Sequence, residues 1–249
     1  MPNDNQKVII VTGAAHGIGK AICLEFAKIG ESLVILDMDS KALSIIHKEL
    51  ETFGINVLSR SVDITNLPDV EKVIEEVKDK YGRIDILINN VGIGSSKRFL
   101  DTTPDDLERV TATNIKGPLF LTQQAVTLMM KGANIIFISS IFANFPSLDV
   151  SYDLTKAAIN HLVTNLSLQL AQKEIRVNGI APGHIDTKTK NSPRIQIDVP
   201  LFQKAGLPED IAKACLFLTN NESARYITGV ILPVTGGLHI PMLKSLSLD

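Results

Sequence analysis

The chain has 249 residues, 45% of them hydrophobic and 21% charged, with a formal net charge of −2. This supplies core for one large α/β domain or two small ones, and the near-neutral charge excludes an electrostatic case for nucleic acid or an anionic membrane. The N-terminus, M-P-N-D-N-Q-K-V, has neither a signal peptide nor a long apolar run, so a soluble cytoplasmic protein is expected.

Lys7 to Val11 is an apolar, β-branched run of buried-strand type. T-G-A-A-H-G-I-G (Thr12 to Gly19) follows, then a mostly apolar helix ending at Gly30. In a strand–loop–helix context, glycines let the backbone approach a pyrophosphate, and the helix N-terminus offers free N–H groups. Leu33 to Leu36 is a second strand closed by Asp37, 18 residues beyond Gly19. An acid at that offset can accept hydrogen bonds from a ribose diol, or it can simply serve the following helix start, where Asp39 and Ser40 are also cap-like. Helix Lys41 to Phe53, strand Asn56 to Val62 closed by Asp63, helix Leu67 to Tyr81, and strand Arg83 to Ile88 closed by N-N-V-G continue the alternation.

Thr103 and Pro104 open a long helix expected to reach about Met130, with Asn114 in its middle. Asn is unfavourable there unless its side chain has a task. Ile135 to Ile138 is the fifth strand, ended by Ser139 and Ser140. Tyr152 and Lys156 follow, four apart and on one face if 151–173 is helical. An ammonium beside a phenol stabilises the phenolate and lowers its pKa from about 10. Tyr152 is therefore a candidate acid/base, with a strand-end serine to hold an alcohol or carbonyl oxygen. Ile175 to Ala181 is a sixth strand ending in A-P-G-H-I-D-T; 188–206, with Pro193 and Pro200, reads as a loop or lid. Helix 208–219 and strand Val230 to Val234 finish the chain before T-G-G. Seven strands alternating with six helices predict one domain over 1–249, a Rossmann-like doubly wound parallel sheet with helices on both faces.

End to end, these residues resemble the short-chain dehydrogenase/reductase family. Thr12, Gly13, Gly17 and Gly19 match T-G-x-x-x-G-x-G, and Asn89, Asn90 and Gly92 match N-N-A-G, with Val91 in place of alanine. Asn114, Ser140, Tyr152 and Lys156 match the catalytic set, Arg176 to Gly183 match R-V-N-x-I-x-P-G, and Thr187 matches the threonine after it. The resemblance implies an NAD(P)-dependent oxidoreductase acting on a secondary alcohol or ketone. In it Tyr152 exchanges the proton, Lys156 lowers the Tyr152 pKa and holds the nicotinamide ribose, Ser140 orients the substrate oxygen, and Asn114 holds a water linking Lys156 to solvent. It also implies a homotetramer and a cofactor surface of Gly13, His16, Gly17, Ile18, Gly19, Asp37, Asp63, Ile64, Asn90, Gly92, Tyr152, Lys156, Pro182, Gly183, Ile185 and Thr187. A non-catalytic dinucleotide-binding regulator is the competing reading, which the intact catalytic set disfavours; dehydration or epimerisation on the same site is a third.

Three details stay open in the sequence. Ser140 stands 12 residues before Tyr152, one fewer than the family's usual spacing, so counting points to Ser139 and the local I-S-S alignment to Ser140. Period two lets one of them face the cleft, and Ser140 is favoured because a loop absorbs a deletion more easily than a strand end. Asp37, with no basic residue in the glycine loop or directly after it, favours NAD over NADP. Ile195, Ile197, Val199, Leu201 and Phe202 in the lid, with Phe142, Phe145 and Leu148, suggest a mostly apolar small-molecule substrate. The histidines, including His16 and His184, show no metal-ligand spacing and no metal is expected, while Cys23 and Cys215 read as buried reduced thiols.

Overall fold

The computed structural model describes residues 6–187 and 204–240. Strand β1 (Val8–Thr12) is buried along its whole length. Its side chains alternate between faces: Val8 and Ile10 enter one apolar cluster, Ile9 and Val11 the other. Burial on both faces is what a parallel strand between two helical layers requires. The elements that follow are α1 (Gly17–Lys28), β2 (Ser32–Asp37), α2 (Ser40–Glu51), β3 (Val57–Ser61), α3 (Leu67–Tyr81) and β4 (Ile84–Asn89). Then come α4 (Pro104–Thr111), α5 (Gly117–Ala125), β5 (Met129–Ile138), α6 (Val150–Gln169), β6 (Arg176–Pro182), α7 (Pro208–Thr219) and β7 (Ile231–Val234).

The seven strands pair in parallel in the order β3-β2-β1-β4-β5-β6-β7. The Rossmann-like doubly wound sheet expected from the sequence is present. One apolar cluster joins the sheet to α3, α5 and α6, the other to α1, α2 and α7. Strand order reverses between β1 and β4, so the carboxyl ends of these strands open a crevice, the usual binding place in such sheets. Pro233 is accommodated because β7 is an edge strand.

One expectation changes. The helix expected from 103 to about 130 is α4 and α5 joined by a π-helical turn at Ala112–Lys116, and it ends in a short 3-10 turn at Val126–Leu128. Met129 belongs to the sheet instead, paired with Ile84 ahead of a register shift. Apolar composition could not separate the two outcomes; pairing to β4 decides. Most apolar residues of α5 and α6 cover the chain's own core. Leu121 and Ile159 are buried, and Val126, Leu162, Leu166 and Leu170 pack partly buried on the same cluster. Leu107 on α4, and Leu154 and Leu168 on α6, are exposed.

Candidate active site

The glycine loop turns sharply, with left-handed φ of +62° at Gly13 and +48° at Gly17, a backbone that glycine adopts without a steric cost. Gly19 serves close approach: a Cβ there would lie 1.9 Å from the Gly13 carbonyl oxygen. His16 is the N-cap of α1 but makes no side-chain cap bond, which leaves the first N–H groups available to an anion. Its ring instead meets the Asp39 carboxylate at 3.0 Å, on the surface.

The loop is tied to the end of β4 by Thr12 and Asn90. Thr12 Oγ1 accepts from the amides of Asn90 and Val91 at 3.0 and 3.2 Å. Asn90 Nδ2 donates to the carbonyls of Thr12 and Gly13 at 3.0 and 3.1 Å. The T-G and N-N-V-G motifs are thus two halves of one joint. Beside it opens a crevice of about 390 Å³ whose walls include Gly13, His16, Asp37, Asp63, Ile64 and Asn90. One Asp37 oxygen accepts from the Ala15 amide at 2.9 Å and the other from the Asp39 amide at 3.0 Å. Val91 forms part of the same wall and packs against the core.

A second cavity, about 750 Å³, adjoins it over the ends of β4, β5 and β6. Ile18, Gly92, Ser140, Tyr152, Lys156, Pro182, Gly183, Ile185 and Thr187 all reach it. Thr187 also closes on the glycine loop, its Cγ2 lying 3.2 Å from where a Gly17 Cβ would stand. Fourteen of the sixteen predicted cofactor residues therefore line two adjoining cavities, and Gly17 and Gly19 lie in the turn without lining either. A dinucleotide fits this shape: a phosphate-approaching backbone, a free helix N-terminus and an acid at the end of β2.

At the cavity floor Lys156 is buried, with Nζ donating to the Ile138 carbonyl at 2.8 Å. Burial pulls its pKa down to about 8, because removing an ammonium from water disfavours the charged form. Nζ lies 5.5 Å from the Tyr152 ring centre. The Tyr152 pKa is raised, contrary to the expectation from the Tyr–Lys pair. Burial is the main cause; the Ser140 hydroxyl opposes it, and Asp153 and Asp149 add to it. The shift favours the protonated phenol.

Both serines line the cavity but differ in their partners. Ser140 acts on the Tyr152 phenol, and its Oγ accepts from the Phe142 amide at 3.1 Å. Ser139 Oγ donates to Asn160 Oδ1 at 2.6 Å and is 2% exposed. These partners favour Ser140 over Ser139 as the serine that serves the cavity.

Asn114 is buried within the π-helical turn, a distortion that often marks functional sites. Its Oδ1 accepts from the Ile93 amide and its Nδ2 donates to the Ile93 carbonyl and Thr155 Oγ1, each at 2.9 Å. The side chain thus clamps the segment after β4 to α6, a task that by itself accounts for a polar residue here. Phe142 lines the reaction cavity, Leu148 lines a neighbouring groove, and Phe145 lines neither. The lid residues Ile195, Ile197, Val199, Leu201 and Phe202 lie outside the described residues. The ends of that stretch are pinned by a bridge between Ile185 and Gly206. Sequence reasoning missed Ser96, Ser147 and Asp149 in the cavity wall; an acid three residues before Tyr152, at a helix start, was the available signal. Among the described residues no three His, Cys, Asp or Glu side chains converge as a metal site would, and Cys23 and Cys215 are buried free thiols whose pKa is raised by burial.

The family model described as enoyl-(acyl carrier protein) reductase matches residues 13–239. The chain is 34% identical over 242 residues to a 3-oxoacyl-[acyl-carrier-protein] reductase of Thermotoga maritima, covering 94% of this chain and 98% of the relative. Among solved structures, a 7α-hydroxysteroid dehydrogenase complexed with NADH and 7-oxoglycochenodeoxycholic acid superposes with a TM-score of 0.86 at 34% identity, covering 93% of each chain. A blue fluorescent protein from a metagenomic library, in complex with NADPH, superposes with a TM-score of 0.88 at 30% identity, over 94% of this chain and 98% of that one.

Proposed function

The chain belongs to the short-chain dehydrogenase/reductase family and is an NAD(P)-dependent oxidoreductase of alcohol and ketone groups, and we propose that it is an NAD(H)-preferring ketone reductase/alcohol dehydrogenase with Tyr152 as acid/base. The observation that carries the reading is the convergence of Ser140, the Tyr152 phenol and the buried Lys156 in one cavity beside the glycine loop. Gly13, Gly17, Gly19, Asn90 and Asp37 would hold the dinucleotide, with Ile18, Gly92, Pro182, Gly183, Ile185 and Thr187 along its nicotinamide half. When bound, the nicotinamide supplies or accepts the hydride.

The chain's own residues handle the proton. In reduction, the phenol O–H of Tyr152 donates to the carbonyl oxygen as it gains negative charge, leaving a phenolate. Lys156, whose pKa of about 8 lets it be cationic near neutrality, stabilises that phenolate by charge. The Ser140 hydroxyl donates to the same substrate oxygen and fixes its position. In oxidation the roles reverse, with the phenolate accepting the alcohol proton.

NAD(H) is favoured because Asp37 sits at the adenosine crevice with Asp39 close behind it, and two carboxylates repel a 2′-phosphate. Lys20, the first basic residue after the loop, is paired to Glu49 at 2.7 Å. Steady-state kinetics with both cofactors across a panel of secondary alcohols and ketones tests this: kcat/KM should be larger with NAD(H), and an equal or larger value with NADP(H) refutes it. We also infer that the chain is cytoplasmic, with 1–249 acting as one domain, and that it forms a homotetramer, for which Leu107 and Leu154 are exposed apolar contacts. A stable monomer at micromolar concentration by light scattering would overturn the assembly. No helix among the described residues is long and apolar enough to cross a membrane.

A further inference from the structure

Asp149 begins helix α6, three residues before Tyr152, and its carboxylate does more than cap. Oδ1 accepts from the Tyr152 amide at 3.1 Å, the ordinary N-cap bond. The same oxygen accepts from Ser95 Oγ at 2.7 Å, and Oδ2 accepts from the Ser96 amide, also at 2.7 Å. Ser95 and Ser96 belong to the segment after β4, and Ser96 lines the same cavity as Tyr152. That segment is shaped to fit. Ser96 holds a left-handed φ of +59°, uncommon for a residue with a side chain. A Cβ at Gly94 would lie 2.7 Å from Asp149 Oδ2, so a side chain there would push the carboxylate from its present place. A parallel set of bonds fixes the near side: Asp153 accepts from the Ser147 amide at 2.6 Å and from its hydroxyl at 2.7 Å.

We propose that Asp149 is a positioning residue of the reaction: its carboxylate locks the Gly94–Ser96 wall onto the first turn of α6, and so sets the cavity width and the direction of Tyr152. This rests on the oxidoreductase reading above. The carboxylate has a second consequence, electrostatic in kind. Among the described residues lining the cavity, the other titratable groups are Tyr152, Lys156 and His184, and Asp153 acts on the phenol from its own helix. Asp149 and Asp153 both raise the Tyr152 pKa, so Asp149 favours the protonated phenol that reduction needs.

The two roles of the side chain can be separated. Asp149→Ser keeps a good N-cap but is too short to reach Ser95 and Ser96. Its melting temperature should stay near that of the parent while kcat falls at least tenfold, with NADH affinity, read by nicotinamide fluorescence, within about twofold. Gly94→Ala displaces the same carboxylate from the other side and should lower kcat in the same direction. Asp149→Asn removes the charge and keeps an Oδ1 acceptor for the Tyr152 amide and Ser95, though its amide nitrogen cannot accept from Ser96. Its Tyr152 should ionise at lower pH than in the parent. Phenolate absorbance titration, with Tyr152→Phe on each background subtracted, reads this without any turnover.

A parent chain that binds NADH but turns over none of the panel would sink the oxidoreductase reading, while the titration would still judge Asp149. A parent that turns over normally, beside an Asp149→Ser variant with parental kcat and unchanged phenol titration in Asp149→Asn, would overturn the positioning role.

Discussion

Replacing Lys156 with methionine should make the folded chain more stable at neutral pH while stopping catalysis. The ammonium is buried, and burial moves its pKa from 10.5 to about 8. At about 1.4 kcal/mol per tenfold, keeping it charged in the fold costs roughly 3 kcal/mol. Methionine has similar length and no such cost, but it removes the bond to the Ile138 carbonyl; a lost or unsatisfied hydrogen bond costs about 1 kcal/mol or somewhat more. The net expectation at pH 7 is a gain of about 1–2 kcal/mol. The pH dependence has a definite sign. Between pH 8 and 10.5 the unfolded lysine is still protonated and the folded one is not, so the parent's stability rises with pH relative to the variant. Below pH 8 the difference is constant, and above 10.5 the parent loses its disadvantage. Urea unfolding of both proteins at pH 7 and across this alkaline window measures it. A variant less stable than the parent at pH 7, or a difference that does not narrow as pH rises, would refute the assignment of Lys156 as a buried, costly charge.

Other outcomes follow from the same geometry. Tyr152→Phe keeps ring and packing and should lose roughly 10²–10⁴-fold in kcat, the usual range for removing a general acid/base, with NADH binding retained; near-parental turnover would remove it from the reaction. Ser140→Ala should cost at least about tenfold in kcat, whereas Ser139→Ala should cost about 1 kcal/mol of stability and little rate, since its hydroxyl serves Asn160. Asp37→Ser should raise kcat/KM for NADP(H) relative to NAD(H), and an unchanged ratio would place discrimination elsewhere. Gly19→Ala puts a Cβ 1.9 Å from a backbone oxygen, so a Gly19→Ala variant that melts and binds NADH like the parent would contradict the described packing of α1 on the loop.

The sheet was legible because its strands are buried on both faces and read as unbroken apolar runs between glycine and proline punctuation. Six of the seven lie within about two residues of their expected ends. The seventh begins early at Met129, where the sequence continues a helical composition and only pairing with Ile84 distinguishes strand from helix. The cofactor joint was legible for another reason. Close backbone approach at Gly13, Gly17 and Gly19 leaves a mark in the sequence, since no other residue supplies it.

What escaped was the direction of side chains. Tyr152 and Lys156 stand one turn apart, and spacing alone implied that the ammonium sets the phenol's acidity. In the fold Nζ turns to the Ile138 carbonyl, and burial dominates the phenol. A cavity that excludes water raises the phenol and lowers the ammonium together, so each is driven toward its neutral form. A ground state of that kind suits a proton donor: the phenol holds its proton until negative charge develops on the substrate oxygen. Lys156 then contributes where its charge matters, against the phenolate left behind. The same logic makes Asp149 informative. A carboxylate set against the acid/base would be a poor choice if the phenolate were the resting form, and it is consistent with a resting phenol. The buried lysine, the raised tyrosine and the clamping aspartate thus point to one resting protonation state, which no count of residues along the chain could have revealed.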